Sequence, residues 1–77
     1  MVAAYILIIS ESGAEKHIVE ELLDEDGIED ADLVYGEYDI IAKVNIPDIS
    51  MLADFILEKI RPINGIKRTS TLIVVAD

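Results

Sequence analysis

The chain has 77 residues, 52% of them hydrophobic, a formal net charge of −10, and neither cysteine nor tryptophan. This length supports a single domain, expected over residues 1–77, whose ordering costs on the order of 100 kcal/mol in conformational entropy. Disulfides, thiolate metal sites and iron–sulfur clusters are excluded, and the first apolar run, ending at Ile9, is too short for a signal peptide or a membrane-spanning helix.

Charge is unevenly spread. Positions 11–32 carry ten acids and one base (Lys16), a net −9, and the rest of the chain carries −1. Lys59, Arg61, Lys67 and Arg68 form a small basic zone. Most of this surface repels phosphate backbones, so no direct nucleic-acid partner is expected, and no membrane partner either. The acidic run is a solvated helix face or a surface that meets the basic zone of a neighbouring subunit. A cytoplasmic protein is expected.

Residues 2–9 read as a strand with Tyr5, Leu7 and Ile9 on one face and Ala4, Ile6 and Ile8 on the other. Both faces are apolar, as in a central strand covered on both sides. Ser12-Gly13-Ala14-Glu15 matches a capping box and opens a helix expected to bury Ala14, Ile18, Val19, Leu22 and Leu23. Asp26-Gly27 ends it, with Gly27 suited to the left-handed position after a helix. Asp24, Glu25 and Asp26 have the wrong sign for the helix dipole there.

The second strand, 28–35, carries Glu29, Asp30 and Asp32, charges that suit a sheet edge. Gly36-Glu37-Tyr38-Asp39 reads as a tight hairpin turn. The third strand, 40–46, puts Ile40, Ala42, Val44 and Ile46 on one face, and Ile41, Lys43 and Asn45 on the other with Asp39. Pro47-Asp48 starts a second helix with Asp48 as cap and a buried stripe of Ile49, Leu52, Ala53, Ile56, Leu57 and Ile60. Arg61-Pro62 stops it, and Asn64-Gly65 leads into a last strand, 66–75.

The order βαββαβ implies an α+β, ferredoxin-like fold: a four-stranded antiparallel sheet with two helices on one face. The other face is left bare although apolar residues point to it. A homodimer packed sheet against sheet, a dimeric α/β sandwich, covers it.

Catalysis has little support. The single His17 lies among carboxylates on the exposed side of the first helix, without an orienting partner. The cluster Asp24-Glu25-Asp26 diverges around the helix, so no metal site and no cofactor are expected. Tyr5 and Tyr38 are too few, and the charge is wrong, for an RNA-binding sheet.

Asp39 is the residue to explain, because it enters an otherwise apolar strand. One reading is that it caps its own turn. The other is a free amino acid. Such a ligand needs an anion for its ammonium, donors for its carboxylate and an apolar wall. Asp39, the N–H groups around Gly36 and Glu37, the hydroxyls of Thr69, Ser70 and Thr71, and Ile40 and Met51 offer all three.

Gly36-x-Tyr38-Asp39 with the Ile-Ile-Ala-Lys-Val strand after it, followed by Asp48, Asn64-Gly65-Ile66 and Thr69-x-Thr71-Leu72-Ile73-Val74, resembles the effector domain of the leucine-responsive/asparagine (Lrp/AsnC) regulators. This is the RAM domain. The resemblance runs over essentially the whole chain. It implies dimers joined through their sheets, rings of dimers (often octamers) and amino-acid effectors held between dimers. Gly36, Tyr38, Asp39, Thr69 and Thr71 match family positions, whereas Glu37, Ser70 and Met51 come from the reading of the residues. Typical members carry an N-terminal helix-turn-helix domain, while here the first strand begins at Val2. A stand-alone effector domain without a DNA-binding domain is therefore expected. It either senses amino acids alone or co-assembles with full-length regulators of the family. The alternatives are an ACT-like regulatory subunit of a metabolic enzyme, binding near Ser10-Glu11-Ser12-Gly13, or a purely structural assembly module.

Overall fold

Every buried strand position in this protein faces the same two helices, and that arrangement follows from alternation along β1 (Val2–Ser10) and β3 (Ile40–Ile46). In the computed structural model, which describes residues 1–75, the remaining elements are α1 (Glu15–Leu23), β2 (Ile28–Leu33), α2 (Ile49–Phe55), a π-helical turn (Ile56–Ile60) and β4 (Ile66–Ile73). The sheet is antiparallel with strand order β2-β3-β1-β4, so both central strands are hydrogen-bonded along both edges. This is the expected βαββαβ fold. The expectation of a single domain over 1–77 runs two residues beyond those described.

Ala4, Ile6 and Ile8 of β1 and Ile40, Ala42, Val44 and Ile46 of β3 form one buried layer, closed by Ile18, Leu22, Leu52 and Ile60 from the helical side. Each fully buried isoleucine or leucine contributes roughly 1.5–3 kcal/mol over an exposed one. The opposite sheet face carries Tyr5, Leu7 and Ile9 of β1 beside Lys43 and Ile41 of β3, and Leu72, Ser70 and Arg68 of β4, in cross-strand register. The Lys43 ammonium lies 5.9 Å from the centre of the Tyr5 ring and 3.9 Å from Glu29. No helix among the described residues is long and apolar enough to cross a membrane.

Several local expectations are corrected. Ala14, not Ser12, occupies the N-cap of α1, with no side-chain capping bond. The expected capping box does not form, and the Glu15 carboxylate instead accepts from the Gly13 N–H at 2.9 Å. The helix ends at Leu23, so the acidic trio follows it, and no base sits in its last turn. Leu23 is 53% exposed, because Ile18 and Leu22 set the buried face of the helix and Leu23 lies about 100° around the axis from Leu22. Gly27 has φ +99°, yet it sits four residues past the helix, at the entry to β2, rather than directly behind it. β2 ends at Leu33 and β4 at Ile73, both earlier than periodicity suggests.

Asp48 caps α2, its carboxylate accepting from the Ser50 hydroxyl at 2.6 Å and the Met51 N–H at 3.1 Å. Those two donors, the hydroxyl foremost, hold its carboxyl below the usual aspartate range. The buried stripe differs from the expected one. Leu52 and Ile60 are buried and Phe55 and Ile56 pack against the core, whereas Ile49, Ala53 and Leu57 are exposed. Phe55 draws the buried face toward itself, which turns Ala53 and Leu57 about 100° or more away around the axis. The Arg61 N–H then reaches back to the Ile56 carbonyl at 2.9 Å, widening the last turn and keeping Ile60 on the core.

The two turns at one end of the sheet are locked together. The Glu11 N–H donates to the Gly65 carbonyl at 2.7 Å, and a Cβ built on Gly65 (φ +97°) would lie 2.5 Å from Ala14 Cβ. Gly13 has a similar φ of +90° but open space around it. Gly65→Ala is expected to destabilise by about 2–3 kcal/mol and Gly13→Ala by about 1 kcal/mol. Urea denaturation at one fixed protein concentration measures both, and equal costs would show that backbone strain alone operates at Gly65.

Candidate functional site

The 34–39 connection is wider than a tight hairpin turn. Its ends are joined by the Val34 N–H donating to the Asp39 carbonyl at 2.9 Å, and Gly36 at its tip has φ +136° in open space. Asp39 itself continues the pairing of β3 with β1, its N–H donating to the Ile8 carbonyl at 2.9 Å.

The Asp39 side chain crosses to β1. Asp39 Oδ2 accepts from the Ser10 N–H at 2.9 Å and from the Ser10 hydroxyl at 3.4 Å. Pairing of β1 with β4 slips between Ile9 and Ser10, and there the carboxylate supplies an acceptor to a nearly buried residue. Asp39 therefore does not cap its own turn. It ties the loop to the end of the central strand, across 29 positions of sequence.

Beside this bond lies an open cavity of about 430 Å³ lined by Gly13, Glu15, Lys16, Leu33, Val34, Tyr35 and Asp39. The N-terminus of α1 forms one wall and the β2–β3 loop the other. The wall from α1 presents Lys16 and, at the positive end of the helix dipole, the Glu15 carboxylate, which accepts from the Gly13 N–H at 2.9 Å. The loop wall presents Asp39 and the apolar residues Leu33 and Val34. Of these groups, Asp39, Lys16 and the apolar wall are the ones that a zwitterion with an apolar substituent needs. Asp39 is the one lining residue that the sequence marks as a ligand contact; Gly13, Glu15, Lys16, Leu33, Val34 and Tyr35 are added by the structure. The one signal pointing to them was the Gly13 turn considered as an ACT-like site, and it opens onto the same cavity.

The other expected site residues lie elsewhere in the chain. Gly36 and Glu37 are exposed at the loop tip and Tyr38 is half-buried beside Asp39, but none of the three lines the cavity. Thr69, Ser70 and Thr71 stand opposite Ile8, Leu7 and Ile6 on β4. Strand β1 separates them from β3, which makes two strand spacings of about 4.8 Å. Thr69 lines a separate cavity of about 260 Å³ with Arg61, Ile66, Lys67 and Arg68. Met51 lines a third, of about 230 Å³, with Ile46, Pro47, Asp54, Phe55, Glu58 and Lys59. That one lies past the far end of β3, roughly 20 Å from Asp39. Within one chain, then, these groups occupy three places. His17 is exposed on α1, 3.8 Å from Glu21.

The sequence model of the Lrp/AsnC ligand binding domain matches residues 3–77. An uncharacterized HTH-type transcriptional regulator of Pyrococcus horikoshii is 37% identical over 73 residues, which are 95% of this chain and 46% of that regulator. The chain thus spans about half the length of the curated relatives it matches. Among solved structures, FFRP-DM1 is 43% identical with a TM-score of 0.93, the match covering 97% of this chain and 100% of that one. AsnC of E. coli is 31% identical with a TM-score of 0.93, covering 99% of this chain and 52% of that one. The family is regulatory rather than catalytic, and its ligand domains bind amino-acid effectors and oligomerise. This chain belongs to the Lrp/AsnC ligand-binding domain family.

Proposed function

We propose that this protein senses a free amino acid in the cleft between the N-terminus of α1 and the Asp39 loop, within an assembly of homodimers. The observation that carries this reading is the pairing of the Asp39 carboxylate and Lys16 along one cavity with an apolar wall of Leu33 and Val34. The amino acid's ammonium meets Asp39, its carboxylate meets Lys16 and the helix N-terminus, and its side chain lies on the apolar wall. Gly36, Glu37 and Tyr38 shape the loop. Copies of Thr69, Ser70, Thr71 or Met51 from a neighbouring chain complete the enclosure, and so set preference among amino acids.

Dimers form through the open sheet face, where Leu7, Ile9 and Ile41 give an apolar centre and Lys43, Ser70 and Arg68 a polar surround. Rings of such dimers, up to the octamer, create the clefts between dimers. Effector binding there changes the stability of the ring and, through co-assembly, the state of full-length regulators of the same family in the cytoplasm.

The test separates the two jobs of Asp39. Asp39→Asn keeps an oxygen acceptor for the Ser10 N–H but loses the charge, and Asp39→Ala loses both. Asp39→Ala is expected to cost about 1–3 kcal/mol in urea denaturation and Asp39→Asn less than about 1 kcal/mol. In native mass spectrometry with a panel of free amino acids, the wild type is expected at a multiple of the dimer mass with amino acid bound. Asp39→Asn should keep that mass and lose about tenfold or more in affinity. An oligomer indifferent to every amino acid leaves a structural assembly module. A wild-type monomer overturns the sheet-to-sheet dimer, and Leu7→Asp is expected to produce one.

A further inference from the structure

The β4 edge of the sheet carries a second, chemically opposite cavity. Arg61 from the turn after α2 meets Lys67, Arg68 and Thr69 at the start of β4 around about 260 Å³. Three of the chain's six lysine and arginine residues line it, on a protein whose net charge is −10. The two ion pairs among the described residues join His17 to Glu21 and Lys43 to Glu29, so neither neutralises this cluster. Three cationic residues around one hollow, with no carboxylate among its lining residues, give it a positive potential that suits an anion.

We propose that this cavity binds the phosphoryl group of a phosphorylated small molecule. A carboxylate brings one negative charge and balances a single cation, whereas a phosphate monoester brings about −1.5 to −2 at neutral pH. Two guanidinium groups present planar pairs of donors matched to phosphate oxygens, a lysine adds a point charge, and the Thr69 hydroxyl adds a further donor. Lys67 and Arg68 are consecutive on a strand and point to opposite faces, so they grip a group seated at the strand's free edge from both sides. The volume lies just below the roughly 300–1,000 Å³ of sites that engulf a whole drug-sized ligand, so the phosphoryl head is held and the remainder projects outward. An extended polyanion is a poor fit, because the net −9 of residues 11–32 repels it beyond the first phosphate.

Within one chain this cavity and the Asp39 cavity share no residue, and Thr69 is the one lining residue that the amino-acid reading also uses, from a neighbouring chain. Amide chemical shifts of the full chain, titrated with inorganic phosphate at an ionic strength held constant with chloride, test it directly. Saturable shifts are expected at Arg61 and at Ile66, Lys67, Arg68 and Thr69. Arg61→Gln and Arg68→Gln should each weaken binding about fivefold, Asp39→Asn should leave it unchanged, and acetate should bind more weakly than phosphate. Failure of the amino-acid reading leaves these outcomes intact. Shifts that follow ionic strength alone, equal binding of acetate, or variants that bind like wild type would each overturn the proposal. So would a salt-sensitive self-association in sedimentation velocity without a saturable phosphate response, which would assign the basic edge to the acidic β2 edge of a second copy.

Discussion

Strand β1 is hydrogen-bonded on both edges, and the rest of the molecule is arranged to meet that constraint. β3 pairs with it from Val2 to Ile8 and β4 from Ala4 to Ser10, so nearly all of its backbone polar groups are taken up inside the sheet. Its two side-chain faces then need different covers. Ala4, Ile6 and Ile8 are covered by α1 and by the helical segment from α2 to Ile60, which lie on that side because both crossovers are right-handed. Tyr5, Leu7 and Ile9 face away from the helices, where a lone chain has nothing to lay over them. One strand thus carries a covered apolar face and an open one among the described residues.

The end of β1 is where structure and chemistry meet. The slip in pairing at Ser10 leaves a nearly buried residue whose N–H turns to Asp39, and in the same stroke fixes where the β2–β3 loop can lie. The loop cannot drift from the α1 N-terminus without breaking that bond. A cavity with an aspartate on one wall and a lysine on the other is preorganised by a hydrogen bond whose first role is to satisfy backbone. The Glu11 N–H to Gly65 carbonyl bond and the close approach of Gly65 to Ala14 fix the opposite side of the same helix start.

Charge is partitioned along the strand order. β2, at one edge of the sheet, exposes Glu29, Asp30 and Asp32, while β4, at the other, exposes Lys67 and Arg68. Each edge strand carries charge that discourages indiscriminate pairing, yet the two signs differ. The surface is thereby divided into regions of different character: a negative helix and edge, an apolar sheet face, and a positive edge with a hollow in it.

Local pattern determined the element order, the two faces of β1 and β3, the edge character of β2 and the cap at Asp48, since each depends on neighbours a few residues apart. It also singled out Asp39, because a carboxylate at the mouth of an apolar strand is visible in one dimension. Other features were decided only by the tertiary structure. Ser10 is 29 residues from Asp39, and their meeting depends on the order β2-β3-β1-β4 and on a register slip that no periodicity records. Packing of Phe55 and the widened turn at Ile56 chose which half of the α2 stripe is buried. Strand order also put β1 between Asp39 and the β4 hydroxyls and set Met51 beyond the far end of β3. Spacing along a chain fixes which way a side chain faces, whereas only the pairing of distant strands fixes what it meets.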